Sequence, residues 1–242
     1  MNVKHKYAPQ SLADVIYPSA AVQQRINAYA SKALEGNVLL WGPNGTGKST
    51  VARLLPQAID GVNATIENKD ISDLMKMADL KSYLSNATYW ASGNNDEKLF
   101  IVAEEFDSVK GDFAKFWTAI DKFQDRIMLI ITTNELMSIH KSIRSRCDQI
   151  QFPAVKAQHV LPRAQAILKA EGVNLPDYQV HSYLAEVENF GDVRLYMNKL
   201  NEVIYLHRSH QPLPPASGAI PAVHRTFTVV PGSKQSPNNA SV

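Results

Sequence analysis

The sequence contains a single cysteine, Cys147, among its 242 residues. One cysteine excludes an intrachain disulfide and a zinc site built from several cysteines, and it is typical of a reducing compartment. No run of about 18 apolar residues occurs, which argues against a transmembrane helix. The first ten residues also lack the apolar segment of a secretion signal. We therefore expect a cytoplasmic protein that has no membrane partner.

The chain also has little net charge. Its 25 basic and 23 acidic residues leave a formal charge of +2. Because this balance is too weak to indicate nucleic-acid binding by itself, any contact with DNA has to come from a local patch. Hydrophobic residues make up 45% of the chain and charged residues 20%, as in ordinary globular proteins. The length suits one α/β domain with a smaller second domain.

Short apolar runs alternate with segments of helical periodicity over the first 153 residues. We predict strands at residues 38–41, 64–67, 99–103, 127–132 and 150–152. Continuous apolar runs indicate strands covered on both faces, and their alternation with helices is typical of a parallel, doubly wound α/β sheet. One of the intervening helices is predicted across residues 71–89, and we expect its last residue, Tyr89, and the following Trp90 to pack in the core or at the helix end.

The strand pattern ends near residue 153. Helical segments at roughly 157–171, 177–188 and 192–208 predict a small three-helix lid. The following residues are rich in proline, serine and asparagine, which predicts a flexible, disordered tail. The expected domains are thus an α/β nucleotide-binding domain at 1–153, a helical lid at 154–210 and a tail at 211–242.

A glycine-rich motif follows the first predicted strand and opens a helix. It reads Gly42-Pro43-Asn44-Gly45-Thr46-Gly47-Lys48-Ser49-Thr50 and satisfies G-x-x-x-x-G-K-[ST]. Backbone N–H groups in such a loop bind phosphate, helped by the positive end of the helix. We expect Lys48 to reach the β- and γ-phosphates of ATP and Ser49 to bind Mg²⁺. The alternative, a chance glycine-rich turn, does not explain the flanking strand and helix.

Three carboxylates end the third predicted strand: Glu104, Glu105 and Asp107. At this position in a nucleotide-binding sheet, the first acid supports the metal ion and the second polarises the attacking water. We therefore predict Glu104 as a metal ligand and Glu105 as the catalytic base. The first acid is ordinarily aspartate, so the longer Glu104 predicts a changed geometry and slower turnover. The alternative is a solvated acidic strand end.

Three polar side chains are candidates for sensing the terminal phosphate. Asn134 follows the fourth predicted strand and could hydrogen-bond the γ-phosphate and the attacking water, or instead cap a helix. Arg146, favoured over Arg144, is predicted to reach the γ-phosphate of a neighbouring subunit. Arg194, at the start of the last long helix, is predicted to fold back onto the phosphates of its own subunit. The alternative for each arginine is a solvated surface charge.

In this order, the motifs resemble those of the clamp-loader branch of the AAA+ ATPases, namely replication factor C and phage clamp-loader small subunits. The resemblance covers about residues 4–205. It includes the glycine-rich loop and four short elements, Lys6-Tyr7-x-Pro9, Asp14-Val15-Ile16, Ser145-Arg146-Cys147 and Gly191-Asp192-Val193-Arg194. It implies that Tyr7 and Ile16 line an adenine pocket and that Asn68 restrains the catalytic glutamate until DNA binds. It also implies self-association into a ring or spiral of about five or six subunits, or an open filament.

Three features depart from that family. Ala8 stands where arginine is usual, Glu104 replaces aspartate, and no helical collar is expected after the lid. The resemblance therefore supports the ATPase machinery better than it supports clamp loading.

Three functions stay open on this basis. The first is an ATPase that acts on DNA or on a replication or recombination factor, associated with the nucleoid, with Lys110 and Lys115 as DNA contacts; a solvated helix face is the alternative for these lysines. The second is a slow or non-hydrolysing ATP-dependent adaptor that binds another protein. The third and weaker hypothesis is a protein-remodelling ATPase that would use Tyr89 and Trp90 as pore-loop aromatics.

Overall fold

The computed structural model describes residues 3–67, 71–91, 98–106 and 113–213. Within these ranges, five parallel strands form one sheet in the order β2-β3-β4-β1-β5. The strands are β1 Asn37–Trp41, β2 Thr65–Ile66, β3 Leu99–Ala103, β4 Ile127–Thr133 and β5 Cys147–Gln151. The order reverses beside β1, which is where ligands bind in open α/β sheets. The predicted fold class is confirmed.

The described residues form ten α-helices. They are α1 Val3–Lys6, α2 Ala20–Ala30, α3 Lys48–Asp60, α4 Ile71–Lys76, α5 Leu80–Ala91, α6 Phe113–Asp121, α7 Lys141–Arg144, α8 Ala157–Ala170, α9 Asp177–Ala185 and α10 Val193–Arg208. None of the helices in this part of the chain combines the length and hydropathy of a membrane-spanning segment.

Helices cover the sheet on both faces, which explains its apolar strands. All seven residues of the central strand β4 are buried. Leu129 and Ile131 face a cluster built with α4, α5 and α6, whereas Met128 and Ile130 face a cluster built with α2 and α3. A strand buried on both sides reads as an unbroken apolar run, as β4 does.

The prediction of one continuous helix across residues 71–89 is wrong. The chain breaks between α4 and α5, where the Asp79 carboxylate accepts the backbone N–H of Ser82 at 3.1 Å and so caps a new helix. Of the two expected places for Tyr89 and Trp90, the core is excluded. These side chains lie at the end of α5 with 69% and 78% of their surface exposed, and their rings contact each other edge to face at 5.7 Å between centroids.

Helices α8, α9 and α10 pack around a separate apolar cluster that also includes Val3 of α1. The N-terminal residues therefore reach the lid before the chain enters the sheet, and the N–H of Val3 donates to Asn201 Oδ1 of α10 at 3.4 Å. The predicted boundary at residues 153/154 stays a prediction. The tail prediction lies outside the described residues from 214 onward.

Removing a core side chain from the central strand tests this arrangement. Leu129 is fully buried, so Leu129→Ala is expected to lower the free energy of unfolding by about 2–5 kcal/mol, measured by chemical denaturation. The matched control is Leu34→Ala, since Leu34 is 41% exposed. The control is expected to change this free energy by less than about 0.5 kcal/mol. Equal losses in the two variants would contradict the burial of β4.

Candidate functional site

A cavity of about 420 Å³ lies where the carboxyl ends of β1, β3 and β4 meet the start of α10 and the N-terminal segment. Parallel strands bring their carboxyl ends to one edge of the sheet, so residues far apart in the sequence converge there. The cavity is lined by many of the predicted site residues: Tyr7, Ile16, Asn44, Gly45, Gly47, Lys48, Ser49, Thr50, Glu105, Asn134 and Arg194.

The glycine-rich loop is held by its own polar groups and by close backbone packing. Lys48 Nζ donates to the carbonyl oxygens of Gly42 and Pro43, each at 2.7 Å, and Thr46 Oγ1 donates to Pro43 at 3.0 Å. Gly42 has φ +139°, and a Cβ there would lie 2.1 Å from the carbonyl oxygen of Phe152. Only glycine fits this position. Gly42, Pro43 and Thr46 therefore hold the loop in shape without lining the cavity.

Glu105 and Asn134 lie at the same end of the cavity. Glu105 has φ +50°, a left-handed conformation that is uncommon for a residue with a side chain. Its backbone N–H donates to Thr132 Oγ1 of β4 at 3.2 Å, which ties the acid to the neighbouring strand. Sparsely populated backbone conformations of this kind cluster at functional sites. The ends of β3 and β4 thus bring a carboxylate and an amide to the lining of one cavity.

Glu104 is engaged elsewhere. Its carboxylate accepts two hydrogen bonds from Arg53 of α3, from Nε at 2.5 Å and from Nη2 at 3.0 Å. Arg53 lines the cavity, whereas Glu104 does not. Of the two predicted metal ligands, Ser49 lines the cavity and Glu104 does not. A single protein ligand of this kind suits Mg²⁺, because the ion commonly takes its other ligands from nucleotide phosphates and waters.

The opposite end of the cavity is organised by a buried carboxylate. The Glu171 side chain is 4% exposed, and it accepts hydrogen bonds from Tyr7 Oη at 2.5 Å, from Lys6 Nζ at 2.6 Å and from Arg208. The hydrogen bond from Lys6 is the largest of the interactions that lower the pKa of Glu171. The carboxylate stays ionised at neutral pH and fixes the Tyr7 ring against the cavity.

The lid contacts the glycine-rich loop directly. The N–H of Val193 donates to the carbonyl oxygen of Gly45 at 2.9 Å. Asp192 caps α10 by accepting the N–H of Arg194 at 2.8 Å, and it also pairs with the Arg194 guanidinium at 2.8 Å. A Cβ on Gly45 would lie 1.9 Å from Asp192 Oδ1. Arg194, the predicted phosphate sensor, thus lines the cavity, but its guanidinium pairs with Asp192, which caps the same helix.

Arg146 lies at the other edge of the sheet. It precedes Cys147, which pairs with Asn37 at the start of β1, whereas the loop follows Trp41 at the end of that strand. Four residues of strand separate these ends by about 13 Å. The Arg146 guanidinium pairs with Asp121 at 3.3 Å and lies 5.6 Å from the centre of the Trp117 ring. It cannot serve the cavity of its own chain.

Cys147 has the character of a packed residue. Burial raises the pKa of its thiol to about 12, so the nucleophilic thiolate is scarce at neutral pH.

Three further candidates are Asn68, Lys110 and Lys115. Asn68 and Lys110 lie outside the described residues. Lys115 Nζ donates to the carbonyl oxygens of Met77 and Ala78, at 3.2 and 3.3 Å, where α4 and α5 separate. In the described ranges, no group of three or more histidine, cysteine, aspartate or glutamate side chains could hold a metal ion by itself.

Two residues at the site escaped sequence reasoning. Arg53 follows Ser49 by four residues and so shares a face of α3 with it, a signal that the sequence offered. Glu171 carried no such signal, because its contact with Tyr7 spans 164 positions of the chain.

Comparison with protein families matches residues 38–154 to the ATPase family associated with various cellular activities, AAA. The Replication factor C large subunit of Methanoregula boonei is 26% identical over 204 residues, which is 83% of this chain and 41% of the relative. The Sliding-clamp-loader large subunit of Enterobacteria phage T4 is 28% identical over 209 residues, covering 82% of this chain and 63% of the relative. The chain thus spans about two fifths to three fifths of these relatives.

Solved structures share the fold at low identity. The Thermotoga maritima RuvB Holliday junction branch migration motor has a TM-score of 0.62 and 18% identity, covering 84% of this chain and 67% of the other. C. elegans PCH-2 has a TM-score of 0.55 and 16% identity, covering 80% and 70%. Residues 38–154 form a domain of the AAA ATPase family, and the resemblance to the clamp-loader branch is confirmed, with relatives described as large subunits.

The carboxylate that binds Tyr7 allows a test of whether this end of the cavity holds the base of a nucleotide. Glu171→Gln is expected to weaken ATP binding about three- to tenfold, as loss of charge-assisted hydrogen bonds would. A fluorescent nucleotide measures the affinity. Inorganic triphosphate, which has no base, should compete equally well in both proteins.

Glu186→Gln is the matched control, since Glu186 pairs with Lys199 within the lid. If Glu171→Gln weakened triphosphate and ATP by the same factor, Glu171 would not act through the base end.

Proposed function

We propose that the chain binds ATP with Mg²⁺ in this cavity and hydrolyses it in a ring, spiral or filament of subunits. Its action is directed at DNA or at a replication or recombination factor. The observation that carries the proposal is the convergence of Lys48, Glu105 and Asn134 on one cavity while Arg146 lies at the far edge of the sheet.

The residues at the cavity can divide the chemistry of hydrolysis among them. The loop N–H groups and Lys48 bind the phosphates, and a bound Mg²⁺ supplies charge neutralisation beside Ser49. Glu105 polarises the attacking water, and Asn134 orients it against the terminal phosphate. Arg194 exchanges its Asp192 partner for phosphate and so couples the lid to the nucleotide. Tyr7 and Ile16 contact the base.

Assembly is favoured by the position of Arg146. Its side chain is 40% exposed and lies at the end of the sheet away from its own cavity, so a neighbouring subunit is the partner it could serve. A contact between two different faces of one chain is heterologous, and repeating it builds a ring if it closes and a filament if it does not. Both clamp-loader relatives are described as subunits of larger assemblies.

A protein client is supported by the exposed aromatic pair at the end of α5. Tyr89 and Trp90 are amphipathic side chains that rank among those most enriched at protein interfaces. DNA contact by Lys110 and Lys115 stays a prediction.

The Arg53–Glu104 contact favours a second function. A carboxylate held by an arginine is withheld from the metal ion, which suits an adaptor that binds ATP and hydrolyses it slowly or not at all. The assembled chain would then use ATP to set its shape for a protein partner.

Two variants separate binding from hydrolysis. Lys48→Ala is expected to abolish binding of a fluorescent ATP analogue with Mg²⁺, because it removes the cation at the β- and γ-phosphates. Glu105→Gln should keep that binding and lower phosphate release about 10²–10⁴-fold, as loss of a general base does. Lys169→Ala, on the exposed side of α8, is the control for loss of a lysine.

The same assay with primed DNA, at rising salt, distinguishes the two functions. Stimulation by DNA that salt removes supports the DNA-directed ATPase. Equal and negligible rates in the parent protein and Glu105→Gln support the adaptor. Unchanged nucleotide binding in Lys48→Ala would refute both.

Arg146→Ala is expected to reduce turnover about 10³–10⁵-fold, the range for a trans arginine, and to leave ATP affinity nearly unchanged. The reason is that the arginine acts on another subunit's transition state. Mixing Arg146→Ala subunits with Lys48→Ala subunits should restore activity. In the mixture, a Lys48→Ala subunit can supply its Arg146 to the intact nucleotide site of an Arg146→Ala neighbour.

Asp121→Asn is the control for the ion pair that Arg146 makes in its own chain. A large loss of nucleotide affinity in Arg146→Ala, or no recovery on mixing, would show that Arg146 does not act across an interface.

A further inference from the structure

The contact between Arg53 and Glu104 joins two elements that border the cavity. Arg53 lies on α3, four residues after Ser49, and Glu104 follows the last residue of β3. The two hydrogen bonds, at 2.5 and 3.0 Å, engage both carboxylate oxygens. This paired geometry is the one in which an arginine–carboxylate contact is most specific, even near the surface. The Glu104 side chain is 28% exposed and the Arg53 side chain is 70% exposed, so solvent reaches the pair from the arginine side.

The length of Glu104 matters for this contact. Aspartate at the same position would end about 1.5 Å shorter, by one carbon–carbon bond. The extra methylene therefore carries the carboxylate to Arg53. The neighbouring Glu105, with its left-handed backbone, lines the cavity instead. Two adjacent acids thus have different surroundings: one is paired with a cation and the other faces the cavity.

Arg53 lies beside the predicted metal site. Arg53 and Ser49 share one face of α3, and both line the cavity. The Arg53 side chain is 70% exposed, so solvent screens its charge from a divalent cation. A carboxylate with both oxygens engaged is nevertheless poorly available to that cation. The hydrogen bond with Glu104 raises the pKa of Arg53, so the arginine keeps its charge.

We infer that Arg53 is a positioning residue that withholds Glu104 from the metal ion of the nucleotide complex. Glu104 then contributes to metal affinity only when Arg53 releases it. This inference rests on the proposed function, since it concerns the metal of the same nucleotide site. It assigns the unusual glutamate a structural partner within the chain.

A double-mutant cycle on metal affinity tests this inference. The Mg²⁺ concentration that half-saturates the complex with a fluorescent ADP analogue is measured for the parent chain, Arg53→Gln, Glu104→Gln and the double variant. Arg53→Gln is expected to lower this concentration about two- to fivefold, the range for an exposed ion pair. Glu104→Gln alone should leave it unchanged. In the Arg53→Gln background, Glu104→Gln should return it to the parent value.

The matched control is Arg25→Gln, because Arg25 makes a similar two-bond contact with Asp148 on β5, at 2.8 and 2.5 Å. It should not change the Mg²⁺ requirement. Additive effects of the two site variants, or a weaker metal affinity in Glu104→Gln alone, would overturn the inference while leaving nucleotide binding in place. Failure of the parent chain to bind nucleotide would overturn the proposed function as well.

Discussion

The backbone hydrogen bond from Val193 to Gly45, at 2.9 Å, joins the lid to the glycine-rich loop. It makes the first turn of α10 one wall of the cavity, so the lid and the loop cannot separate without opening the site. Glycine at position 45 permits the contact, because a side chain there would overlap Asp192. The N-terminal segment closes a second wall, since Tyr7 is tied to Glu171 of the lid. The lid is therefore joined to the walls of the cavity at two places, Gly45 and Tyr7.

The parallel sheet brings some of the predicted site residues together and keeps Arg146 away from them. Glu105, Asn134 and Lys48 meet because they follow the carboxyl ends of parallel strands or open the helix after β1. Arg146 precedes β5, so the sheet places it at the opposite edge. There it contacts Asp121 at the end of α6 and the Trp117 ring. Both contacts come from α6, so this helix holds Arg146 away from the cavity of its own chain.

Features that depend on neighbouring residues could be predicted from the sequence, whereas contacts between residues far apart in the chain could not. The loop, the buried strands and the positions of Glu105 and Asn134 could be predicted, because motif spacing and apolar runs are local signals and parallel pairing fixes which ends meet. The break before α5 depends on one capping residue, Asp79, which the periodicity of the surrounding residues conceals. The contacts of Glu171 could not be predicted, since they join Lys6, Tyr7 and Arg208 through tertiary packing alone.

The neighbouring acids show why residue type alone does not assign a role. Glu104 and Glu105 are chemically identical and adjacent, yet the backbone turns to φ +50° at the second. A hydrogen bond from its N–H to Thr132 holds that turn, so the two carboxylates are directed to different partners. One meets the guanidinium of Arg53 and the other meets the cavity. One backbone conformation and one cation thus give the two acids different surroundings. Exchanging these surroundings would require changes in α3 as well as in β3.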